Sequence, residues 1–371
     1  MRILIINYIL FTPDKGIIPK VNSIKDTMIY GMCRGFIDLG HSVTLAAGEE
    51  YKPQTNETYD CEVLFFKSNF KKLFNPTVLP YSSELKDFLK KNHSEYDLII
   101  TSEVFSFLSL YAARICPEKT IIWHELAIHQ RKFKKLPSKI WYNIVAPILM
   151  NKVFCVVPRS KQAQMFISRY MPNVSVPVDH GIDINKFQSS ASKKRQVISS
   201  SQLIPRKRID GIIDVFHKLV NMPKYADFKL IIAGRGPELE SLQKKVYDLG
   251  IEKNVEFVGF LAQKVLNIYM RESMVFLINT LQDNSMLAIP EALASGTPVI
   301  TTSIPNTTHN LGKDKLGIVD DNWDINELCE IIDNNNAYVS ACIEYRENLS
   351  NKYSATKMIE FFSQYANNAN A

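Results

Sequence analysis

The stretch LQDNSMLAIPEALASGTPVI (281–300) sets two carboxylates, Asp283 and Glu291, eight positions apart. The preceding MVFLINT (274–280) reads as a buried strand, and LQDNS as a loop offering Asn284 or Ser285 as a helix N-cap. Pro290 fits a first helical turn, where its missing N–H costs nothing. Ser295–Gly296, with Pro298 behind it, closes the helix. Asp283 therefore precedes a helix and Glu291 lies inside it. A helix N-terminus is a natural seat for a phosphate. Acids repel phosphate but accept hydrogen bonds from hydroxyl groups. A nucleotide diphosphate sugar carries both, with its diphosphate lying between ribose and sugar hydroxyls.

Such residues need a scaffold, and the chain alternates short apolar strands with helical stretches. RILIINY (2–8), SVTLAA (42–47), DLIIT (97–101), TIIW (120–123) and VFCVV (153–157) are strand candidates in the first half. QVISSSQ (196–202), FKLIIAG (228–234), NVEFVG (254–259), MVFLINT and TPVITT (297–302) follow in the second. SIKDTMIYGMCRGFIDLG (23–40) has helical spacing and ends at Gly40, and 326–366 reads as terminal helices. This alternation predicts parallel sheets covered by helices. The Pro-, Ser-, Asn- and Lys-rich stretch 171–197 marks a boundary. The expected division is 1–175, 176–355 and a final helix, 356–371, that can cross back to the first domain. Ligands in such sheets bind beyond the carboxyl ends of the strands.

The 371 residues are 46% hydrophobic and 22% charged, an ordinary soluble composition. No apolar run is long enough for a transmembrane helix. The N-terminus reads as a first strand rather than a signal peptide. Six scattered cysteines predict neither a zinc site nor a disulfide framework and suit a reducing, cytoplasmic setting. The net charge of +6 is uneven: residues 1–175 hold 23 basic and 15 acidic side chains. FFKSNFKKLF (65–74) and HQRKFKKLPSK (129–139) interleave Lys and Arg with Phe and Leu, which suits an anionic membrane surface or a lipid-linked phosphate. No nucleic-acid motif accompanies the charge, so nucleic acid is not expected as a partner. No G-x-G-x-x-G follows the first strand, which argues against a dinucleotide oxidoreductase.

The D-x7-E spacing followed by ALASGTPVI resembles the E-x7-E motif of the retaining glycosyltransferases of family 4. SQLIPRKRIDGIID, IIAGRGPELESL with VEFVGFL, and HGIDINKF resemble that family's other segments, in its order. The resemblance covers most of the chain and is strongest over 197–302. It implies the GT-B fold, two doubly wound α/β Rossmann-like domains facing a central cleft. The N-terminal one would bind the acceptor and the C-terminal one the donor.

Carried over by residue, the resemblance implies that Glu291 accepts from the donor ribose, Asp283 lies near the transferred sugar, and Lys207 neutralises the diphosphate. Met286 and Leu287 would offer backbone N–H groups. The loop at Gly234 and the turn at Gly259–Phe260 would border the base. Gly16 would let backbone approach the reacting groups, and His124 would lie at the cleft. Three departures stand out. Asp283 is shorter than the family's Glu, so the sugar must sit closer or a water must bridge. Gln202 replaces an Arg whose charge Arg206 or Arg208 could supply. The first loop has one glycine instead of two. The implied activity is retaining, metal-independent transfer of a hexose-type sugar from a UDP- or GDP-sugar to an acceptor hydroxyl. No cofactor is expected. The acceptor would be a glycan or lipid-linked glycan in cell-surface polysaccharide or glycolipid synthesis, with the protein peripheral at the inner face of the plasma membrane. The alternatives are a nucleotide-sugar epimerase of the same fold and a non-catalytic nucleotide-sugar-binding protein.

Overall fold

The computed structural model describes residues 1–11, 18, 21–130, 135–283, 286–305 and 311–369, with backbone alone from 365 onward. The chain divides into two compact units, Met1–Gly181 with Ser350–Ala371, and Ile182–Leu349.

Unit 1 holds β1 (Arg2–Ile6), β2 (Ser42–Gly48), β3 (Glu62–Phe66), β4 (Leu98–Ser102), β5 (Thr120–His124) and β6 (Cys155–Pro158). They form one sheet in the order β3-β2-β1-β4-β5-β6, and every pairing is parallel. Successive side chains of a strand point to opposite faces. Ile3 and Ile5 accordingly join one core with Met32, Phe36 and Trp123, while Leu4 and Ile6 join another with Leu85, Leu89 and Leu108. Both faces are covered, which is why the strands read as continuous apolar runs.

The last helix, Asn351–Ala369, belongs to this unit, and Ala355 and Met358 are fully buried in its core. It meets the helix Met28–Ile37 at Gly31 and Gly35, four residues apart on one face. A Cβ at Gly35 would collide with the Asn351 carbonyl, so only glycine allows this approach. The helix Met28–Ile37 starts later than its periodicity suggests, because Thr27 accepts the Tyr30 N–H and caps it. It ends at Ile37, three residues before the Gly40 that the sequence suggests, and Gly40 takes φ 82° in the turn that follows.

Unit 2 holds β7 (Gln196–Ser200), β8 (Lys229–Ala233), β9 (Val255–Gly259), β10 (Val275–Leu277), β11 (Val299–Thr301) and β12 (Gly317–Val319). Their order is β12-β11-β10-β7-β8-β9, again wholly parallel. Val197, Leu230 and Val275 pack with Ile212, Phe216 and Leu219 of the helix Ile209–Val220. Their strand neighbours Ile198, Ile231 and Phe276 face Met270, Ile289 and Leu293 on the other side. Each fully buried side chain of this size contributes about 1.5–3 kcal/mol.

Candidate functional site

In unit 2 the chain steps from β7 towards β8 and β9 on one side, and from β10 towards β11 and β12 on the other. The order reverses between β7 and β10, and a crevice opens beyond the carboxyl ends of such a pair. Lys207 follows β7 and Asp283 follows β10. They meet, with the Lys207 ammonium donating to Asp283 Oδ2. Only 9% of the lysine side chain and 17% of the aspartate side chain are exposed, so water screens this pair weakly.

The local backbone builds the meeting point. Pro205 fixes the entry to a single 3-10 turn, Pro205–Lys207, and Arg208 takes a left-handed φ of 47° before the helix Ile209–Val220 begins. The opposing strand is buttoned to this turn. The Arg206 carbonyl accepts the Leu281 N–H at 2.8 Å, and the Arg206 guanidinium donates to the Gln282 carbonyl at 2.5 Å. Buried Thr280 bridges the carbonyls of Arg206 and Gln282 at 3.3 and 3.1 Å. Arg206 thus holds the loop that carries Asp283. Gln202 lies exposed on the β7 side and its carbonyl accepts the Ile204 N–H at 3.1 Å.

Glycines shape the neighbouring wall. Gly234 has φ 143°, and a Cβ there would strike the Ser201 carbonyl. Its N–H donates to the Gly259 carbonyl at 2.8 Å, tying the loops after β8 and β9 together. Phe260, next in the chain, is exposed, and the exposed Arg235 guanidinium lies 5.8 Å from its ring centroid. A flat aromatic and a planar cation on one rim offer stacking surface for a base.

Glu291 lies in the first turn of its helix. The helix that holds it, Ala288–Ala294, has seven residues, and Leu287 caps it without a side-chain hydrogen bond. The expected caps Asn284 and Ser285 lie outside the described residues, as does Gly16. About two turns give a small dipole. Met286 is buried in the core and Leu287 is exposed. Burial raises the Glu291 carboxyl above its ordinary range, and a 2.9 Å hydrogen bond from Gln263 opposes the rise. Gln263 opens the helix Gln263–Glu272 and carries no motif that would single it out in the sequence. Arg235 does carry one, standing between the two glycines of AGRGP.

His124 ends β5 in unit 1 and is fully buried. Its Nδ1 lies 2.8 Å from Glu103 Oε2, and its ring stacks on Phe166 and meets Tyr142 edge-on. The imidazole therefore faces its own core rather than an open surface, because an acid partner and two rings enclose it. Glu103 adopts φ 67° and also accepts the Glu125 N–H at 2.9 Å. Burial alone would raise the Glu103 carboxyl. Beside it, His124, the Glu125 N–H and Arg159 outweigh burial and hold it below the usual range. Sequence reading missed Glu103, whose partner lies 21 positions on, at the end of the next strand.

Residues 182–351 match the family model described as Glycosyl transferases group 1. The alpha-monoglucosyldiacylglycerol synthase of Streptococcus pneumoniae is 29% identical over 197 residues, 48% of this chain and 44% of that protein. The GDP-mannose-dependent alpha-(1-6)-phosphatidylinositol monomannoside mannosyltransferase of Mycobacterium tuberculosis is 24% identical over 187 residues, 45% of this chain and 48% of that protein. The matched stretch spans less than half the length of either relative. Among solved structures, Anabaena Alr3699/HepE in complex with UDP is similar over 98% of this chain and all of that one, with TM-score 0.63 at 16% identity. The two parallel, doubly wound sheets give the chain the GT-B fold, and residues 182–351 are similar to the glycosyl transferases group 1 family.

Proposed function

We propose that the chain is a retaining glycosyltransferase that moves a hexose-type sugar from a UDP- or GDP-sugar to an acceptor hydroxyl on a glycan or lipid-linked glycan. The observation that carries this reading is the Lys207–Asp283 pair at the strand-order reversal of unit 2, with Arg206 bracing the loop between them. Lys207 binds the diphosphate and stabilises the charge that develops on it as the glycosidic bond breaks. Asp283 aims the lysine and accepts from the sugar hydroxyls, and Glu291 accepts from the ribose. Gly234, Gly259 and Phe260 border the base, with Gln202 at the same edge. The protein's own cations carry the electrostatic task, so the reading needs no metal and no cofactor. Relatives named for glycolipid synthesis and a structural neighbour holding UDP support the donor and acceptor classes. The setting that goes with this reading is cytoplasmic.

Transfer from labelled UDP- and GDP-hexoses, with EDTA present, tests it. The expected result is labelled acceptor with the donor's anomeric configuration kept, and donor affinity at least about tenfold weaker in Lys207→Ala and in Glu291→Ala. If both variants bind donor as the parent does, these residues do not form the site.

A further inference from the structure

Residues 136–149 form one helical segment of unit 1: Leu136–Ile140, a π-helical turn Trp141–Val145, and Ala146–Leu149. Its inner side is anchored. Trp141, Tyr142 and Ala146 are buried, and the Trp141 indole N–H donates to the Val104 carbonyl at 2.8 Å. Its outer side carries Leu136, Ile140, Ile144 and Ile148, 59%, 47%, 53% and 64% exposed. Four-residue spacing puts them in one row. A helix lying on a soluble core normally turns charged and polar residues that way.

A second apolar tip adjoins the row. Phe70 and Leu73 are 68% and 76% exposed. The ring of Phe74 packs on Phe107 at 4.9 Å, and Phe107 packs on Trp141 at 5.2 Å, which ties this loop to the root of the helix. The charge along this part of the chain is one-signed. Residues 126–178 contain nine Lys and Arg and no Asp or Glu. Lys135 and Lys139 are exposed beside the apolar row, and Lys72 beside the second tip.

We propose that unit 1 docks on an anionic phospholipid surface through the Leu136–Leu149 segment and the Phe70–Leu73 loop. The apolar row enters the boundary between headgroups and acyl chains, and the lysines meet anionic headgroups. Charge complementarity selects this occupant. In a symmetric contact between two copies the same patch meets itself, which would bring the basic flanks together.

Flotation of the full chain with phosphatidylcholine vesicles, with and without phosphatidylglycerol, tests this without nucleotide or acceptor. Its outcome is therefore separable from that of the proposed transfer. The chain should float with phosphatidylglycerol vesicles at low salt and stay behind with phosphatidylcholine alone. Replacing Lys135 and Lys139 by Ala should weaken binding about fivefold per lysine, and the Ile144→Glu/Ile148→Glu variant should abolish it. These positions are exposed, and unchanged circular dichroism and melting of each variant verify the fold. Absence of flotation with phosphatidylglycerol, or flotation unaltered by Ile144→Glu/Ile148→Glu, overturns the proposal. So does a dimer in sedimentation velocity that this variant dissociates while vesicle binding is absent, since the row then serves a second copy.

Discussion

Replacing Asp283 by Asn separates the two tasks assigned to the Lys207–Asp283 pair. The lysine is nearly buried and its ammonium is already held by the carboxylate, so an incoming diphosphate must share it. Lys207→Met removes the cation altogether. A hydrogen bond from a charged donor contributes about 1.5–3 kcal/mol, so UDP or GDP affinity should fall about 10- to 150-fold. Asp283→Asn keeps the cation and removes a negative charge from beside the phosphates. Nucleotide affinity should then stay level or rise a few fold, while transfer slows because the sugar loses its acceptor. Stability changes too. Breaking a fully buried pair from one side costs about 3–5 kcal/mol, and the partial exposure of this one lowers that to about 2–3 kcal/mol for Lys207→Met. Titration calorimetry with UDP and GDP, urea unfolding, and the double variant measure all of these terms in one cycle. If Asp283→Asn weakens nucleotide binding as much as Lys207→Met does, the carboxylate is not competing with phosphate for the lysine, and the division of tasks is wrong.

Three further outcomes are expected. Because burial raises the Glu291 carboxyl, it protonates at a higher pH than a free glutamate and loses acceptor capacity there. Donor KM should therefore rise as pH falls towards the raised carboxyl range, and Glu291→Gln should flatten that dependence in initial-rate assays. Glu103 has the opposite sign: its depressed carboxyl contributes stability above the unfolded-state pKa, and that contribution is lost as pH falls through the folded value. Glu103→Gln should cost about 1–3 kcal/mol in urea unfolding at neutral pH and much less in acid, where the parent too is protonated. Gly35→Val forces a side chain onto the Asn351 carbonyl and should destabilise unit 1 by about 1–3 kcal/mol or more, read as a lower melting temperature.

The sequence carried most of the sheet plan. Ten of the strands reveal themselves as apolar runs between helical stretches, because parallel strands covered on both faces must be apolar throughout. Two of the four edge strands escaped. β3 is only half-buried and β12 has three residues, so neither shows a clear period. The crossing of the last helix into unit 1 leaves a trace in Gly31 and Gly35, whose spacing makes sense once Asn351 is seen against them. Asp283 and Lys207 could be named from motifs 76 positions apart, but not their direct pairing, which depends on the strand-order reversal. The shorter reach of Asp283 is used on the lysine itself. His124 could be placed at a strand end, whereas its burial follows from Glu103, Phe166 and Tyr142, which only folding brings to it.

A crystal structure of the chain with UDP or GDP locates the nucleotide. Diphosphate oxygens should lie within about 3 Å of Lys207 Nζ, ribose hydroxyls on Glu291, and the base against the loops at Gly234 and Gly259. A nucleotide bound elsewhere, or bound here without contact to Lys207 and Glu291, would contradict this placement.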